Sequence, residues 1–525
     1  MPRRPALQAT TVVFLLGLAL LYPLLLQPIV PYDEGFVLER ARRVLHGEVP
    51  HLDFWSIYPA GQYHLVALAY AWLGESITSS RLVDALVRLL TACVVTWGVA
   101  HVVRSKLVGL TTGLLMLAAL GGAGSPGYPG FTAMLLILAA TSLWATTASH
   151  SRSRNWPLTA GALLGVAAWF RHDMAGYALM ACFAAELCMG RFADKQAWRA
   201  LALGLAGAAA MGAVGMAHQL TEVSLETLVE QLVRQPAEVM PAYRRTPWPD
   251  WRNPRTISVW LVPLSTLVVL ASACMPALRQ APVQVRRLQL MHAFVAIALL
   301  AQLSIRKDAI HAVPALLALI PAMCVTAALI WPSRAKTAGS WMLLLVVCGL
   351  LLALSARPAG KTVLSTLHAM KRGPAPDPFT RRGMAELTAD QQTLLNWLQT
   401  RPHGAGLYVG VTNHDQFGGN EPIWYFLSGM GSPVFLDELH PGVANLQHMQ
   451  ARTIEELRSR SVRYVLLVDS PCEQGNESCR TPNLDLLDEY VRKNYRVLLH
   501  LQKYTALEHL TVGSGMSDAL AHTQR

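Results

Sequence analysis

Two adjacent carboxylates, Asp33 and Glu34, follow the first apolar block of this 525-residue chain. Held by a rigid helix at a membrane surface, such an acid can take a proton from an attacking hydroxyl or amine. The pair equally suits the N-terminal turn of a helix over Gly35 to Leu45, where acids cap backbone N–H groups and complement the helix dipole. Glu39, Arg40, Arg42 and Arg43 on that segment predict a helix lying along the membrane surface. The following stretch, Gly47 to Tyr63, interleaves prolines and aromatics with Asp53 and makes a poor plain helix. Trp55 and Tyr63, taken singly, fit an interfacial aromatic belt. Together with Tyr58 they are also candidate contacts for a sugar or an acceptor.

Two further clusters combine a cation with an acid. Arg171-His172-Asp173 places a guanidinium, an imidazole and a carboxylate at a tight turn between apolar blocks, which meets the needs of phosphate binding beside an acid or base. The plainer alternative is a turn whose Arg pairs with its own Asp. Arg306-Lys307-Asp308 with His311 repeats the pattern, because residues three apart share a helix face. Between them, Thr221 to Arg255 carries Arg244 and Arg245 among five arginines, mixed with Tyr243, Trp248 and Trp251. Arginine beside aromatics suits an anionic headgroup or a sugar face, and it suits membrane anchoring equally well. The chain carries no Gly-rich nucleotide loop and no close Cys/His metal spacing, so a soluble nucleotide donor is unsupported. No protein-bound cofactor is predicted, and the spacing neither calls for nor excludes a divalent metal.

These residues need positioning, and composition says by what. Hydrophobic residues make up 53% of the chain and charged residues only 15%, massed so that blocks of membrane-spanning length alternate with short polar connectors. Eleven spans are predicted: Thr11 to Val30, Arg81 to Val103, Leu107 to Gly121, Tyr128 to Ser149, Pro157 to Phe170, Met174 to Met189, Trp198 to Leu220, Thr256 to Leu278, Leu288 to Ile305, Ala309 to Trp331 and Ser340 to Ala356. With a cytoplasmic N-terminus, one set of connectors is short and basic, with Arg104/Lys106, Arg152/Arg154, Arg191/Lys195, Arg279/Arg286/Arg287 and Arg334/Lys336, as the positive-inside rule requires. The net charge of +11 is then a property of loops facing the cytoplasm and anionic lipid, and nucleic acid is not an expected partner. The other set holds 31–80, both charged turns, Thr221 to Arg255 and the C-terminal region, outside the plasma membrane. The short fifth span, Pro157 to Phe170, is what keeps them on one side.

The predicted organisation is thus a polytopic α-helical membrane domain over 1–356 and a soluble external α/β domain over 357–525. Capping boxes are expected at Thr388/Gln391 and Thr453/Glu456. Strands are expected over Leu407 to Thr412, Pro433 to Leu436, Arg463 to Val468 and Arg496 to Leu501. Asp437-Glu438 and His440 are expected at a surface that meets the membrane part or an acceptor. Six cysteines lie in apolar blocks as small hydrophobes, whereas Cys472 and Cys479 are close enough to pair in an oxidising compartment.

Tyr32-Asp33-Glu34-Gly35, Gly-Glu-x-Pro-x-x-Asp-Phe-Trp from Gly47, Tyr-Pro-x-Gly-Gln-Tyr from Tyr58, Arg171-x-Asp173, and Arg306-x-Asp308 with His311 together resemble the C-type (GT-C) glycosyltransferases. That polytopic class includes protein O-mannosyltransferases and lipid A aminoarabinose transferases. The resemblance implies a polyprenyl-phosphate sugar donor, Asp33 as base with Glu34 beside it, and an external C-terminal domain. Two departures stand out: the lysine-proline pair of the aminoarabinose transferases is missing from Asp53 to Tyr63, and the C-terminal half does not resemble the mannosyltransferase domain. Phosphate contacts are therefore expected from Arg171 and Arg306, supported by Asp53, His172, Asp173, Asp308 and His311. Membrane lipids are expected partners, and the acceptor is a protein, lipopolysaccharide, another lipid or a wall polymer. The rival class is a transporter or flippase for a lipid-linked substrate, which predicts internal repeats that the two halves do not display.

Overall fold

The computed structural model describes residues 3–146, 155–190, 194–275, 279–331, 338–371, 377–415, 419–472, 476–479 and 484–510. Arg152, Arg154, Arg191, Arg334 and Lys336 of the predicted basic connectors lie outside them, as do 147–149 and 276–278 at the ends of two predicted spans. Among the described residues seven helices are long and apolar enough to cross a membrane: Arg4–Leu25, Ile77–Val103, Pro129–Thr146, Lys195–Leu220, Val283–Ser304, Ala309–Ile330 and Gly339–Lys371. Lys106–Gly122 and Ser258–Ser272 are shorter apolar helices. By contact the chain forms two compact units, one from Met1–Leu26, Arg81–Thr221 and Trp248–Pro374, the other from Gln27–Ser80, Glu222–Pro247 and Ala375–Arg525. The linear division at residue 356 follows hydropathy, whereas this grouping follows packing.

In the first unit, helices approach closely where small residues repeat every fourth position. Gly109 and Gly113 face Ala100 and Thr96, while Gly161 and Gly165 face Gly204 and Ala208, so closely that a Cβ would collide. Pro157 to Phe170 and Met174 to Met189 appear as arms of Trp156–Cys188, broken at Arg171 with φ −149° and ψ 90°. Gly161 lies against Gly204, which also touches the Trp144 ring, and Trp144 Nε1 donates to Glu186 at 3.2 Å. A straight helix would separate residues 161 and 186 by roughly 37 Å. The chain therefore folds back at Arg171, and the first arm runs parallel to Lys195–Leu220, with Trp169 reaching Met211.

The second unit contains a four-stranded sheet of β1 (Leu407–Val411), β2 (Tyr464–Val468), β3 (Tyr495–His500) and β4 (Tyr504–His509), in the order β1-β2-β4-β3. β1 and β2 are parallel, and β4 is antiparallel to both neighbours. Three strands match expectation, and β4 had no prediction. Pro433 to Leu436 is not a strand: the Phe435 backbone bonds instead to Trp55 and to the Glu456 side chain. The Thr388/Gln391 capping box is present. Thr453 lies inside the helix Gln447–Ser459, bonded back to Met449, because that helix begins two turns earlier than expected. One core cluster of this unit joins Phe36, Val37, Tyr63 and Tyr70 to Trp424, Tyr425, Leu407 and Leu466, so residues 31–80 and the C-terminal region share one interior.

Candidate functional site

Asp33 and Glu34 open the helix Asp33–Leu45 in the second unit, and they are not equivalent. Glu34 is buried, and its Oε2 accepts the Val30 N–H at 3.1 Å, which makes it a reach-back cap. Asp33 is half-buried at the first helical position. The start of the helix is held by Ile423, whose N–H donates to Pro31 at 3.3 Å. A Cβ on Gly35 would sit 2.4 Å from the Ile423 nitrogen, so only glycine permits this approach.

The rest of that helix corrects the expectation of a surface helix, because Glu39, Arg40 and Arg43 are buried inside the second unit. Arg40 Nη2 meets Asp437 Oδ1 at 2.7 Å and its Nη1 meets Glu438 Oε2 at 3.0 Å. Arg43 reaches Asp437 Oδ2 at 3.2 Å and Glu48 at 2.7 Å. Tyr32, the residue before Asp33, donates its hydroxyl to Glu438 Oε1 at 2.8 Å. Burial pushes the Glu438 carboxyl above its usual range, with Arg40 pulling the other way. Burial and then the Glu438 charge hold the Tyr32 phenol well above its usual range, so it stays a donor. Asp437 and Glu438 are thus part of a buried ionic network, not a surface patch. The available signal was the spacing of Arg40 and Arg43 on the same helix face as Phe36, beside which Arg40 lies 5.2 Å from the ring centroid.

Nearby positions divide between local structure and network. Asp53 Oδ2 accepts the Val49 N–H at 2.7 Å, an ordinary turn bond. Trp55 is buried, donates to Gln235 at 2.8 Å and lies 5.3 Å from the His440 ring. Tyr63 joins Ser56 at 2.8 Å and accepts from Arg40 at 3.2 Å, and the Tyr58 ring stacks on Phe36. An interfacial belt describes neither Trp55 nor Tyr63, both of which are buried. Arg244 Nη1 donates to His440 Nε2 at 2.6 Å, and the other ring nitrogen lies 3.1 Å from the Pro441 carbonyl, consistent with a neutral imidazole protonated at Nδ1. Arg245 contributes its carbonyl to Asn476. Gln231 was not singled out from the sequence, yet its amide bonds His51 and Ser56.

In the first unit both charged turns close on themselves. Arg171 forms a fork to Asp173 at 2.9 and 2.6 Å and also bonds the Tyr128 hydroxyl, with His172 between them in sequence. Arg306 Nε donates to Asp308 at 3.2 Å, and Asp308 Oδ1 meets His311 Nδ1 at 2.6 Å and its N–H at 3.1 Å. Asp308 is the cap of Ala309–Ile330. Burial alone raises its carboxyl, but the His311 and Arg306 contacts outweigh it and hold it well below the usual range. Buried pairs also join Arg88 to Asp84 at 2.8 Å and Arg287 to Glu186 at 2.7 Å.

No family model and no curated protein match the sequence. Solved structures do match in three dimensions, two states of one protein among them. ArnT from Cupriavidus metallidurans bound to undecaprenyl phosphate aligns with a TM-score of 0.60 and 14% identity over 96% of this chain and 97% of that one. The same protein in the apo state aligns with the same score and identity over 95% and 97%. At that identity the likeness establishes the fold alone: the chain shares the fold of ArnT over nearly its full length.

Proposed function

We propose that this protein is a membrane glycosyltransferase that moves a sugar from a polyprenyl-phosphate donor to an acceptor on the extracytoplasmic face, with Asp33 as general base. The observation that carries this reading is the mounting of Asp33. It is the less buried of the two acids that open a helix whose next two turns are locked by Arg40 and Arg43 to Asp437 and Glu438. A base so held keeps its geometry without reorganisation during reaction. The undecaprenyl phosphate bound by ArnT supports a lipid-linked donor on this fold.

In this mechanism an acceptor oxygen or nitrogen attacks the anomeric carbon as its proton passes to the Asp33 carboxylate. The bond from that carbon to the phosphate oxygen breaks, the electron pair leaves with polyprenyl phosphate, and the configuration inverts. Arg171 and Arg306 stabilise the departing charge, with Asp173 and Asp308 aiming them and His172, His311 and Asp53 as supporting groups. We further assign eleven crossings, a cytoplasmic N-terminus and an external α/β domain that begins after the helix Ala338–Lys371, later than the hydropathy boundary at 357. The reversal at Arg171 and the Cys472–Cys479 disulfide, which suits an oxidising compartment, support that arrangement.

The test is transfer from radiolabelled polyprenyl-phosphate sugars into a membrane extract, with and without chelator, comparing wild type with Asp33→Asn. Loss of about 10²- to 10⁴-fold is expected for removing a general base. Full activity of the variant overturns the assignment of Asp33. Absence of transfer from every donor overturns the enzyme reading and favours lipid-linked transport.

A further inference from the structure

In the second unit both polar atoms of the Asn420 side chain are bonded to backbone. Nδ2 donates to the Val409 carbonyl of β1 and to the Asp437 carbonyl, both at 2.9 Å, while Oδ1 accepts the Leu439 N–H at 3.0 Å. The residue is 1% exposed, and a buried amide with an open bond is costly, so the three bonds act together. Asn420 thus pins the backbone on both sides of Glu438 to the edge of the sheet. Glu438 in turn accepts the hydroxyl of Tyr32, the residue before Asp33. Gly419 closes in on the same ring: it has φ +101°, and a Cβ there would lie 3.1 Å from Tyr32.

Glu421 fixes the other half of this turn. Its Oε2 accepts from Trp424 Nε1 at 2.8 Å and from the Tyr504 hydroxyl of β4 at 2.9 Å, and its Oε1 meets Lys503 Nζ at 2.5 Å. Those bonds place Ile423, whose N–H donates to the Pro31 carbonyl and whose nitrogen leaves no room for a side chain at Gly35. Pro31 and Gly35 are therefore set by Ile423, and Tyr32 by Gly419 and, through Glu438, by Asn420. Asp33 lies between them in the chain.

We infer that the turn 419–423 is the positioning element of the candidate base, with Asn420 and Glu421 as positioning residues that carry the geometry of β1 and β4 to Asp33. The C-terminal sheet then has a part in the reaction without touching substrate. This role rests on Asp33 being the base; the hold of the turn on residues 31–35 does not.

Hydrogen–deuterium exchange of the detergent-purified full chain reads that hold at peptides covering residues 29–38. Asn420→Ala is expected to speed exchange there about tenfold, because the N–H bonds of Glu34 to Val30 and of Phe36 to Tyr32 open more often once Glu438 is released. Asp488→Asn, which breaks a bond to His414 elsewhere in the unit, is the destabilised control and is expected to leave those peptides as in wild type. Glu421→Ala is expected to act as Asn420→Ala does, and Glu421→Gln, which keeps an acceptor for Trp424 and Tyr504, to restore wild-type exchange. That second pair decides the matter if Asn420→Ala does not fold. Unchanged exchange in the alanine variants, or equal acceleration in Asp488→Asn, overturns the inference.

Transfer from radiolabelled polyprenyl-phosphate sugars is the second readout. Asn420→Ala is expected to lower turnover about 10- to 100-fold at unchanged KM for the donor, the size of loss that a displacement of about 1 Å produces. In an Asp33→Asn background it is expected to cost nothing further, since a group acting through Asp33 has nothing left to position. Additive losses overturn the positioning role even where exchange responds. A wild type that transfers no sugar from any donor overturns the assignment of Asp33 and this role with it, while exchange still shows whether the turn holds residues 31–35.

Discussion

The two units neutralise buried charge over very different distances along the chain. In the first, Arg88 pairs four residues away with Asp84, Arg171 with Asp173, and Arg306 with Asp308, while Glu186 with Arg287 reaches across 101 positions. The second has local pairs too, Arg42 with Glu39 and Arg43 with Glu48, but it adds pairs across the chain: Arg40 and Asp437 are 397 residues apart, Arg43 and Asp437 are 394, and Tyr32 and Glu438 are 406. A charge entering the bilayer is most readily matched by a partner in the same turn or loop, because hydrocarbon offers none. Where water solvates each group until the chain closes, partners can be distant. Local pairs make self-contained turns, whereas the distant pairs tie one end of the second unit to the other.

Asp437→Ala tests that contrast most severely. It strands two buried arginines and is expected to cost about 3–5 kcal/mol, read as a lowered thermal transition of the purified protein. A cost no larger than that of Asp173→Asn would erase the difference between the units. Removing the Cys472–Cys479 link, whose residues lie seven apart, with Cys472→Ser/Cys479→Ser is expected to cost about 2–3 kcal/mol by loop entropy. Reductant should then lower the wild-type transition and leave the variant's unmoved.

Smaller effects sharpen the comparison. Asp308→Asn retains a capping side chain and loses half-exposed ion pairs, for about 1 kcal/mol or less. Because the Asp308 carboxyl is depressed in the folded state, its contribution is complete above the unfolded value of about 3.9 and lost as pH falls through the lower folded one. Melting curves of variant and wild type should therefore converge in acid. Glu438→Gln still offers Tyr32 an acceptor and is expected to cost least, about 1 kcal/mol or below. Glu438 is raised in the folded state, so its ionisation lowers stability as pH climbs from about 4.3 through the folded value. Denaturant titrations across that window should show the slope in wild type and not in the variant.

Much of the short-range architecture was legible. Periodicity located three of four strands, the Thr388/Gln391 cap and the reversal at Arg171, each determined within a few residues. β4 was missed because Tyr504 to His509 mixes strand and helix formers and becomes a strand only between β2 and β3. The helix Asp33–Leu45 was placed on the membrane surface because arginine is usually exposed, and nothing near it in sequence announces Asp437.

Apolar blocks, the RxD pairs and the acid after the first block follow from residue order alone, since hydropathy and contacts within one turn are local quantities. Which of the two acids is buried, which arginines are solvated, and which backbone groups Asn420 joins were decided by packing. Those outcomes depend on desolvation by residues hundreds of positions away, and the free energy of a buried charge is set by its surroundings, not by its neighbours in the chain.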